Sequence, residues 1–108
     1  MTTDNKIAVL NDTFRQTFEG GRVMMTSGVA AMADTEREKL ILAVRTFDTF
    51  DKGDDPYGQH DFGTIDLDRT QYFFKIDYYD ATMEYGSDDP ADPAKTTRVL
   101  TIMRADEY

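Results

Sequence analysis

The sequence predicts an α+β fold in which two amphipathic helices pack on an antiparallel sheet of four to five strands that ends in a C-terminal β-meander. Up to residue 50 the apolar residues recur with the period of a helix, whereas from Phe62 onward they alternate with the period of a strand. The 108 residues contain no linker-like stretch, so we expect a single acidic domain over residues 1–108.

The first helix is predicted over residues 4–19. Asp4 is a suitable N-cap, because its side chain can accept a hydrogen bond from a free backbone N–H of the first turn. Gly20 and Gly21 should end the helix, since glycine readily adopts the left-handed conformation found at helix ends. One face of this helix collects Ile7, Leu10, Phe14 and Phe18.

A short strand is expected over residues 22–26, and residues 29–33 are ambiguous. Thr35 and Glu38 have the spacing of a capping box and predict a second helix from residue 35 to about residue 50. The buried stripe of this helix would consist of Leu40, Ile41, Val44 and Phe47.

The second half of the chain predicts strands joined by turns. Residues 51–56 and 86–93 are rich in Asp, Gly and Pro and should form loops. Strands are expected over residues 62–67, 72–79, 82–85 and 97–104, with a turn at Asp68-Arg69. Apolar side chains on both faces of residues 72–79 place that strand in the interior of the sheet.

The charge of the chain is concentrated in one stretch. Between Asp48 and Asp92 there are thirteen acidic residues against three basic ones, so this stretch carries −10 and the remainder carries +1 of the net −9. Direct binding to nucleic acid requires a basic surface, so this concentration of negative charge argues against such binding. A negative field favours a basic partner or a metal ion, or serves solubility alone.

Composition excludes several other classes of function. The chain has no cysteine, which rules out disulfides, thiolate metal sites and cysteine nucleophiles. The first ten residues lack the basic start and long apolar run of a signal peptide, and no segment approaches the ~18 apolar residues of a membrane span. We therefore expect a cytoplasmic protein that does not engage a membrane.

Four segments in order resemble an uncharacterised bacterial family of about this length. They are Asp-Pro-Tyr-Gly-Gln-His-Asp-Phe-Gly (55–63), Lys-Ile-Asp-Tyr-Tyr-Asp (75–80), Tyr-Gly-Ser-Asp-Asp-Pro-Ala-Asp-Pro (85–93) and Arg-Val-Leu-Thr-Ile-Met (98–103). The family is a domain of unknown function frequent in alphaproteobacteria, on plasmids and other mobile elements. The resemblance implies a mobile-element context and supplies no catalytic residues.

The acidic loop after the second helix does not match a calcium-binding EF-hand. With Asp48 as position 1, Phe50 and Lys52 occupy ligand positions, and with Asp51 as position 1, Pro56 falls where glycine is required. A small metal-dependent enzyme that uses His60, oriented by Asp61, together with nearby carboxylates remains an alternative. The sequence indicates no cofactor.

Acidic and tyrosine residues interleave in two segments, a composition suited to protein binding. We therefore predict a non-enzymatic protein that engages a basic protein surface, such as that of a nucleic-acid-binding protein, in the manner of anti-restriction or anti-CRISPR inhibitors that mimic DNA. A small accessory module with no specific acidic site is a further alternative. The candidate partner-binding residues are Asp54, Asp55, Tyr57, His60, Asp61, Asp77, Tyr79, Asp80, Glu84 and Tyr85.

Overall fold

One four-stranded mixed sheet organises the fold in the computed structural model, which describes residues 2–108. The strands are β1 (Gly21–Met25), β2 (Phe62–Leu67), β3 (Thr70–Tyr79) and β4 (Thr97–Arg104), in the spatial order β1-β4-β3-β2. The helices are α1 (Thr3–Thr17), α2 (Ser27–Ala30) and α3 (Asp34–Arg45), and a 3₁₀ turn (Ala105–Glu107) follows β4. The predicted α+β class is confirmed.

The sheet was predicted to be purely antiparallel, but it is mixed. Strands β2, β3 and β4 form the expected antiparallel meander, but β1 adds to the free edge of β4 in parallel. This register aligns Val23 with Leu100 and Met25 with Ile102, so the inward-facing side chains of β1 join the core cluster. Because β1 and β4 lie far apart in sequence, no local pattern in either segment predicts that they pair in parallel.

Helix α1 begins and ends slightly before the predicted positions. The N-cap is Thr2, whose hydroxyl accepts a hydrogen bond from the N–H of Asn5 at 3.1 Å, rather than Asp4. Phe18 adopts the left-handed conformation, with φ of 59°, and ends the helix before the two glycines. Ile7 and Phe14 are buried as predicted, together with two polar residues of α1, Asn11 and Arg15.

Helix α3 departs from the prediction at both ends. It begins at Asp34 after Ala33, whose side chain makes no capping bond, so the predicted capping box is not formed. It ends at Arg45 rather than near residue 50, because Arg15 donates from Nε to Val44 O at 3.0 Å and from Nη2 to Phe47 O at 2.9 Å. The chain then turns out of the helix and packs the Phe47 ring against Phe74.

The predicted turn between β2 and β3 is confirmed, and the predicted strand at residues 82–85 is wrong. Asp68 and Arg69 both have positive φ, 48° and 68°, the conformation of a two-residue type I′ hairpin turn. Residues 82–85 instead form a turn, in which Asp80 Oδ1 accepts hydrogen bonds from the backbone and hydroxyl of Thr82. Only Gly86 bridges back to Tyr79.

The helices pack on one face of the sheet. Phe14 of α1, Val29 of α2 and Leu40 of α3 share a single buried cluster with side chains from β2, β3 and β4. The alternate residues of each strand point to the opposite face, which we call the open face. It is made up of Arg22, Met24, Phe62, Thr64, Asp66, Gln71, Phe73, Lys75, Asp77, Tyr79, Thr97, Val99, Thr101 and Met103.

Candidate functional site

Two acidic segments leave the sheet at the same end. Phe62 at the start of β2 is aligned with Lys75, and Tyr79 at the end of β3 is aligned with Thr97 at the start of β4. We call residues 51–61 and 77–92 the acidic end. It holds ten acidic residues and one lysine, a formal charge of −9 that equals the net charge of the whole chain.

A buried asparagine of α1 joins the two acidic segments. Asn11 is fully buried, and its Nδ2 donates to Gln59 O at 3.0 Å and to the Tyr78 hydroxyl at 2.8 Å. Its Oδ1 accepts from Arg98 Nε at 2.8 Å. One side chain therefore ties α1 to the 51–61 loop, to β3 and to β4.

Arg98 extends this network into the second acidic segment. Its Nη2 donates to Pro90 O, and its guanidinium lies 5.4 Å from the centre of the Tyr78 ring. Burial lowers the pKa of Arg98, because the charged form loses hydration. At the Arg98 guanidinium, water is replaced by neutral groups, namely Asn11, Pro90 and the Tyr78 ring.

Tyr78 connects the network to the carboxylate of Asp61. The Tyr78 hydroxyl donates to Gln59 Oε1 at 3.2 Å and approaches Asp61 Oδ2 at 3.5 Å. Burial raises the pKa of Tyr78 well above its usual 10, so the phenol stays protonated and can donate. Burial, and then the charge of Asp55, raise the pKa of Asp61 above its ordinary value of 3.8.

Asp55 shapes the 51–61 loop from inside. It is only 6% exposed, and its carboxylate accepts hydrogen bonds from the backbone N–H groups of Gln59 at 3.0 Å and His60 at 3.2 Å. These bonds hold His60 in the left-handed conformation with φ of 59°. Asp55 therefore supports the loop and offers little surface to a partner.

His60 contacts Asp12 of α1 rather than the neighbouring Asp61. Its Nδ1 lies 3.0 Å from both carboxylate oxygens of Asp12, which also accepts a hydrogen bond from Arg15 Nη1 at 2.9 Å. The His60 ring stacks on Phe50 with centroids 4.1 Å apart. These contacts fix the imidazole between α1 and the segment after α3.

A cleft of about 280 Å³ opens where the 51–61 loop meets the sheet. The predicted residues Asp54, Tyr57, Asp61 and Asp77 line it together, beside Lys75, whose ammonium pairs with Asp77 at 3.1 Å. The remaining walls are apolar or aromatic and consist of Pro56, Phe62, Ile76 and Tyr108. This cleft offers carboxylates and aromatic rings to one ligand group.

The other predicted residues lie beyond the end of β3. Tyr79 is half-buried on the open face, beside Asp77. Asp80 holds the following turn, and its hydrogen bond from the Thr82 hydroxyl lowers its pKa. Glu84 and Tyr85 are exposed on that turn, Tyr85 by 71%.

The network residues that hold the acidic end were not anticipated from the sequence. Asn11 and Arg15 fall among the apolar positions of α1, and Arg98 shares the inward-facing side of β4 with Leu100 and Ile102. A polar residue at an apolar position was the available signal, because buried polar groups must be hydrogen-bonded. Asp12, which pairs with His60, carried no such signal.

Within residues 2–108, no group of three or more His, Asp or Glu side chains is placed so that it could hold a metal ion. Over the same residues, no helix combines the length and apolar character needed to cross a bilayer.

A family model described as "Protein of unknown function (DUF3768)" matches residues 25–107, which is most of the chain. The chain belongs to the DUF3768 family. No curated protein and no solved structure matches it.

The part of the chain that matches the DUF3768 model includes the whole acidic end and Arg98. Helix α1, which supplies Asn11, Asp12 and Arg15, precedes the matched residues. The site of this DUF3768 protein is therefore assembled from both parts: the acidic residues lie in the matched part, and several of the side chains that hold them lie before it.

Proposed function

We propose that this DUF3768 protein is a non-enzymatic binding protein that presents its acidic end to a basic surface of another protein. The observation that supports the proposal is the placement of both acidic segments at one end of the sheet, held together by the Asn11 and Arg98 network. Acidic residues gathered at one end produce a stronger local field than the same residues scattered around the molecule.

The partner that fits such a surface is a nucleic-acid-binding protein. Its basic groove is built to receive closely spaced phosphates, and dense carboxylates offer a comparable array of negative charge. The resemblance to a family found on plasmids and other mobile elements adds a context, namely inhibition of a host restriction or CRISPR nuclease in the bacterial cytoplasm. In this proposal the protein itself binds neither nucleic acid nor membrane.

The cleft supplies the specific part of the contact. A partner lysine or arginine entering it would meet Asp54 and Asp61 and the ring of Tyr57, which is 73% exposed. A cation placed over an aromatic face and between carboxylates is favoured by both kinds of group. Exposed charges alone would mainly increase the association rate.

A pair of charge-reversed variants tests the proposal. The acidic-end triple variant carries Asp54→Lys, Glu84→Lys and Asp88→Lys, and the control triple variant carries Glu19→Lys, Glu38→Lys and Asp66→Lys. All six residues are exposed, and each triple changes the net charge from −9 to −3. The two proteins therefore differ in where the charge is changed and not in its total.

Each protein is immobilised and exposed to a nuclease-treated bacterial lysate at about 50 mM and about 500 mM salt. We expect the wild type and the control triple variant to retain the same basic nucleic-acid-binding protein at low salt, and the acidic-end triple variant to lose it. The retained protein should also lose its DNA binding when the wild type is added. Equal retention by both triple variants, or none by the wild type, would favour the accessory module whose acidity serves solubility.

A further inference from the structure

Two adjoining cavities lie at the end of the sheet opposite the acidic end. Their volumes are about 330 and 380 Å³, and they share Met32, Thr70 and Tyr72 as a common wall. Thr70 and Tyr72 lie on the side of β3 that faces the helices, next to the Asp68-Arg69 turn. The two cavities therefore form one groove, which we call the hairpin-end groove, between this end of the sheet and the chain that joins α2 to α3.

The hydroxyl of Tyr72 is a polar group of this groove that the protein leaves without a partner. Tyr72 is only 7% exposed, yet its hydroxyl makes no hydrogen bond within residues 2–108. Every side-chain nitrogen or oxygen that is completely buried in this part of the chain has a hydrogen-bond partner, so the Tyr72 hydroxyl must reach the surface. It does so at the groove, because Tyr72 lines both cavities. Such a hydroxyl is available to a ligand.

Arg104 provides the positive charge of the groove. It lines the second cavity, and its backbone is aligned with that of Tyr72 across β3 and β4. Its Nη2 donates to Asp106 at 2.9 Å, which uses only part of a guanidinium that carries five N–H donors. A Cβ at Gly28 would lie 2.8 Å from Arg104 Cδ, so the glycine lets this side chain pack closely against α2. This end of the groove suits a carboxylate.

Glu36 and Asp68 provide negative charge at the other end of the groove, in the first cavity. Both already act on one cation. Lys39 Nζ lies 3.1 Å from Glu36 Oε1, and its hydrogen bond with Glu36 and the charge of Asp68 raise the pKa of Lys39. Lys39 itself is exposed beside the cavity. This end of the groove therefore suits an ammonium group, which would compete with Lys39 for the Glu36 carboxylate.

We propose that the hairpin-end groove binds a peptide of two or three residues through its free termini. The ammonium group would lie at Glu36 and Asp68 and the carboxylate at Arg104, while a peptide carbonyl between them accepts from the Tyr72 hydroxyl. This inference goes beyond the proposed function and does not depend on it, since the groove shares no residue with the acidic end.

The dimensions of the groove favour a short peptide over a single amino acid. Thr70 and Tyr72 lie about 7 Å apart along β3, at about 3.4 Å per residue. Asp68 lies beyond Thr70, and Arg104 is level with Tyr72, so the charged ends are separated by at least that distance along the strand. Two or three extended residues span about 7 to 10 Å, whereas a single residue spans about 3.5 Å and cannot reach both ends.

Titration of the ¹⁵N-labelled full chain with trialanine up to about 20 mM, followed by NMR, tests the proposal. We expect saturable shifts of the backbone signals of Gly28, Met32 and Thr70, with a dissociation constant of about 0.1 to 5 mM. Two further peptides, N-acetyl-trialanine and trialanine amide, each lack one terminal charge. Each should bind about tenfold more weakly, because one charge-assisted contact is lost.

Three variants assign the contacts to individual side chains. Arg104→Gln should weaken the binding of trialanine about tenfold and leave that of trialanine amide unchanged, because the amide has no carboxylate for Arg104. Lys39→Gln should tighten the binding of trialanine but not of its N-acetyl form, since it frees Glu36. Tyr72→Phe should weaken binding without lowering the melting temperature, whereas Tyr85→Phe, on the exposed turn after β3, should change neither.

Near-UV circular dichroism of each variant establishes that the fold is retained before its binding is compared. The proposal is overturned by the absence of saturable shifts, by equal binding of all three peptides, or by shifts confined to the acidic end. It is also overturned if Arg104→Gln weakens trialanine and its amide equally, because the carboxylate would then not be bound by Arg104. The acidic-end triple variant should bind trialanine like the wild type, so failure of this proposal and failure of the proposed function are distinguishable.

Discussion

Asp61 links the stability of the protein to pH. Burial raises its pKa in the folded state above the ordinary 3.8, so the folded state binds its proton more tightly than the unfolded chain does. The stability that this proton contributes is fully present below pH 3.8 and is lost as the pH rises through the folded-state pKa. At neutral pH the ionised carboxylate therefore destabilises the fold.

We predict that Asp61→Asn stabilises the protein at neutral pH and that the gain disappears below pH 3.8. An asparagine oxygen can still accept from the Tyr78 hydroxyl, which approaches Asp61 at 3.5 Å, without carrying a buried charge. Urea denaturation of both proteins at pH 3.5 and pH 7 measures the difference. Asp66→Asn, at an exposed position of β2, is the control, and a gain that is equal at both pH values would contradict the assignment.

Asn11 is the residue on which the polar network depends most. Replacing it with alanine leaves the Nε of Arg98, the hydroxyl of Tyr78 and the carbonyl of Gln59 without this partner. We predict that Asn11→Ala lowers the free energy of unfolding by about 3 kcal/mol, because buried polar groups without partners are costly. The matched control, Asn5→Ala, changes an exposed residue of the same helix and should shift it by less than about 0.5 kcal/mol.

The same substitution tests whether the network holds the acidic end. Asn11→Ala should also increase protease cleavage within residues 51–61 and 80–96 at temperatures where the fold persists. The 51–61 loop loses its hydrogen bond from Asn11, and Arg98, which holds Pro90, loses the Asn11 oxygen that orients it. Loss of stability with unchanged cleavage of both segments would show that the network supports the core but not the acidic end.

At the scale of the elements, the β2–β3 hairpin contains a strained turn. Arg69 has φ of 68°, a left-handed conformation that costs a side-chain-bearing residue roughly 1 kcal/mol and costs glycine little. We predict that Arg69→Gly raises the free energy of unfolding by about 0.5–1 kcal/mol, because Asp-Gly suits a type I′ turn. Thermal unfolding measures the change, and Arg69→Ala, which removes the same charge without relieving the backbone, should show no comparable gain.

Some of the helices and strands could be predicted from the sequence, whereas several of their ends and one pairing could not. Alternation predicted β2 and β3 and the turn between them at Asp68-Arg69, and a β-branched run after the proline-rich loop predicted β4. The ends of α1 and α3 were missed, because Phe18 and Arg15 decide them through a left-handed cap and a distant guanidinium. The parallel pairing of β1 with β4 likewise depends on contacts across most of the chain.

The candidate site was predictable to a similar degree. Composition located the acidic segments, and the topology brings Asp54, Asp61 and Asp77 to one cleft. Burial of Asp55 and the contact of His60 with Asp12 could not be foreseen, because both depend on how the 51–61 loop folds against α1. Sequence patterns report which residue types are present, whereas tertiary contacts decide which of them face a partner.

At the scale of the whole molecule, the acidic end should lower stability through its own repulsion. Ten carboxylates share one end of the sheet with a single lysine, and added salt screens charges that lie more than a Debye length apart. We predict that raising the salt concentration from about 10 mM to about 300 mM increases the free energy of unfolding of the wild type by on the order of 1 kcal/mol. Urea denaturation at both salt concentrations measures it.

The two triple variants show whether this repulsion comes from the acidic end or from net charge alone. Both carry −3 in place of −9, so a response to net charge would fall equally in each. We expect the acidic-end triple variant to lose most of the salt response, since its lysines lie among the remaining carboxylates. The control triple variant should retain most of the response, because its changes lie on α3, on β2 and after α1. Equal salt responses of the two triple variants would mean that the carboxylates of the acidic end are too dispersed to repel one another. Such a surface would also be too diffuse to imitate the phosphates of a nucleic acid.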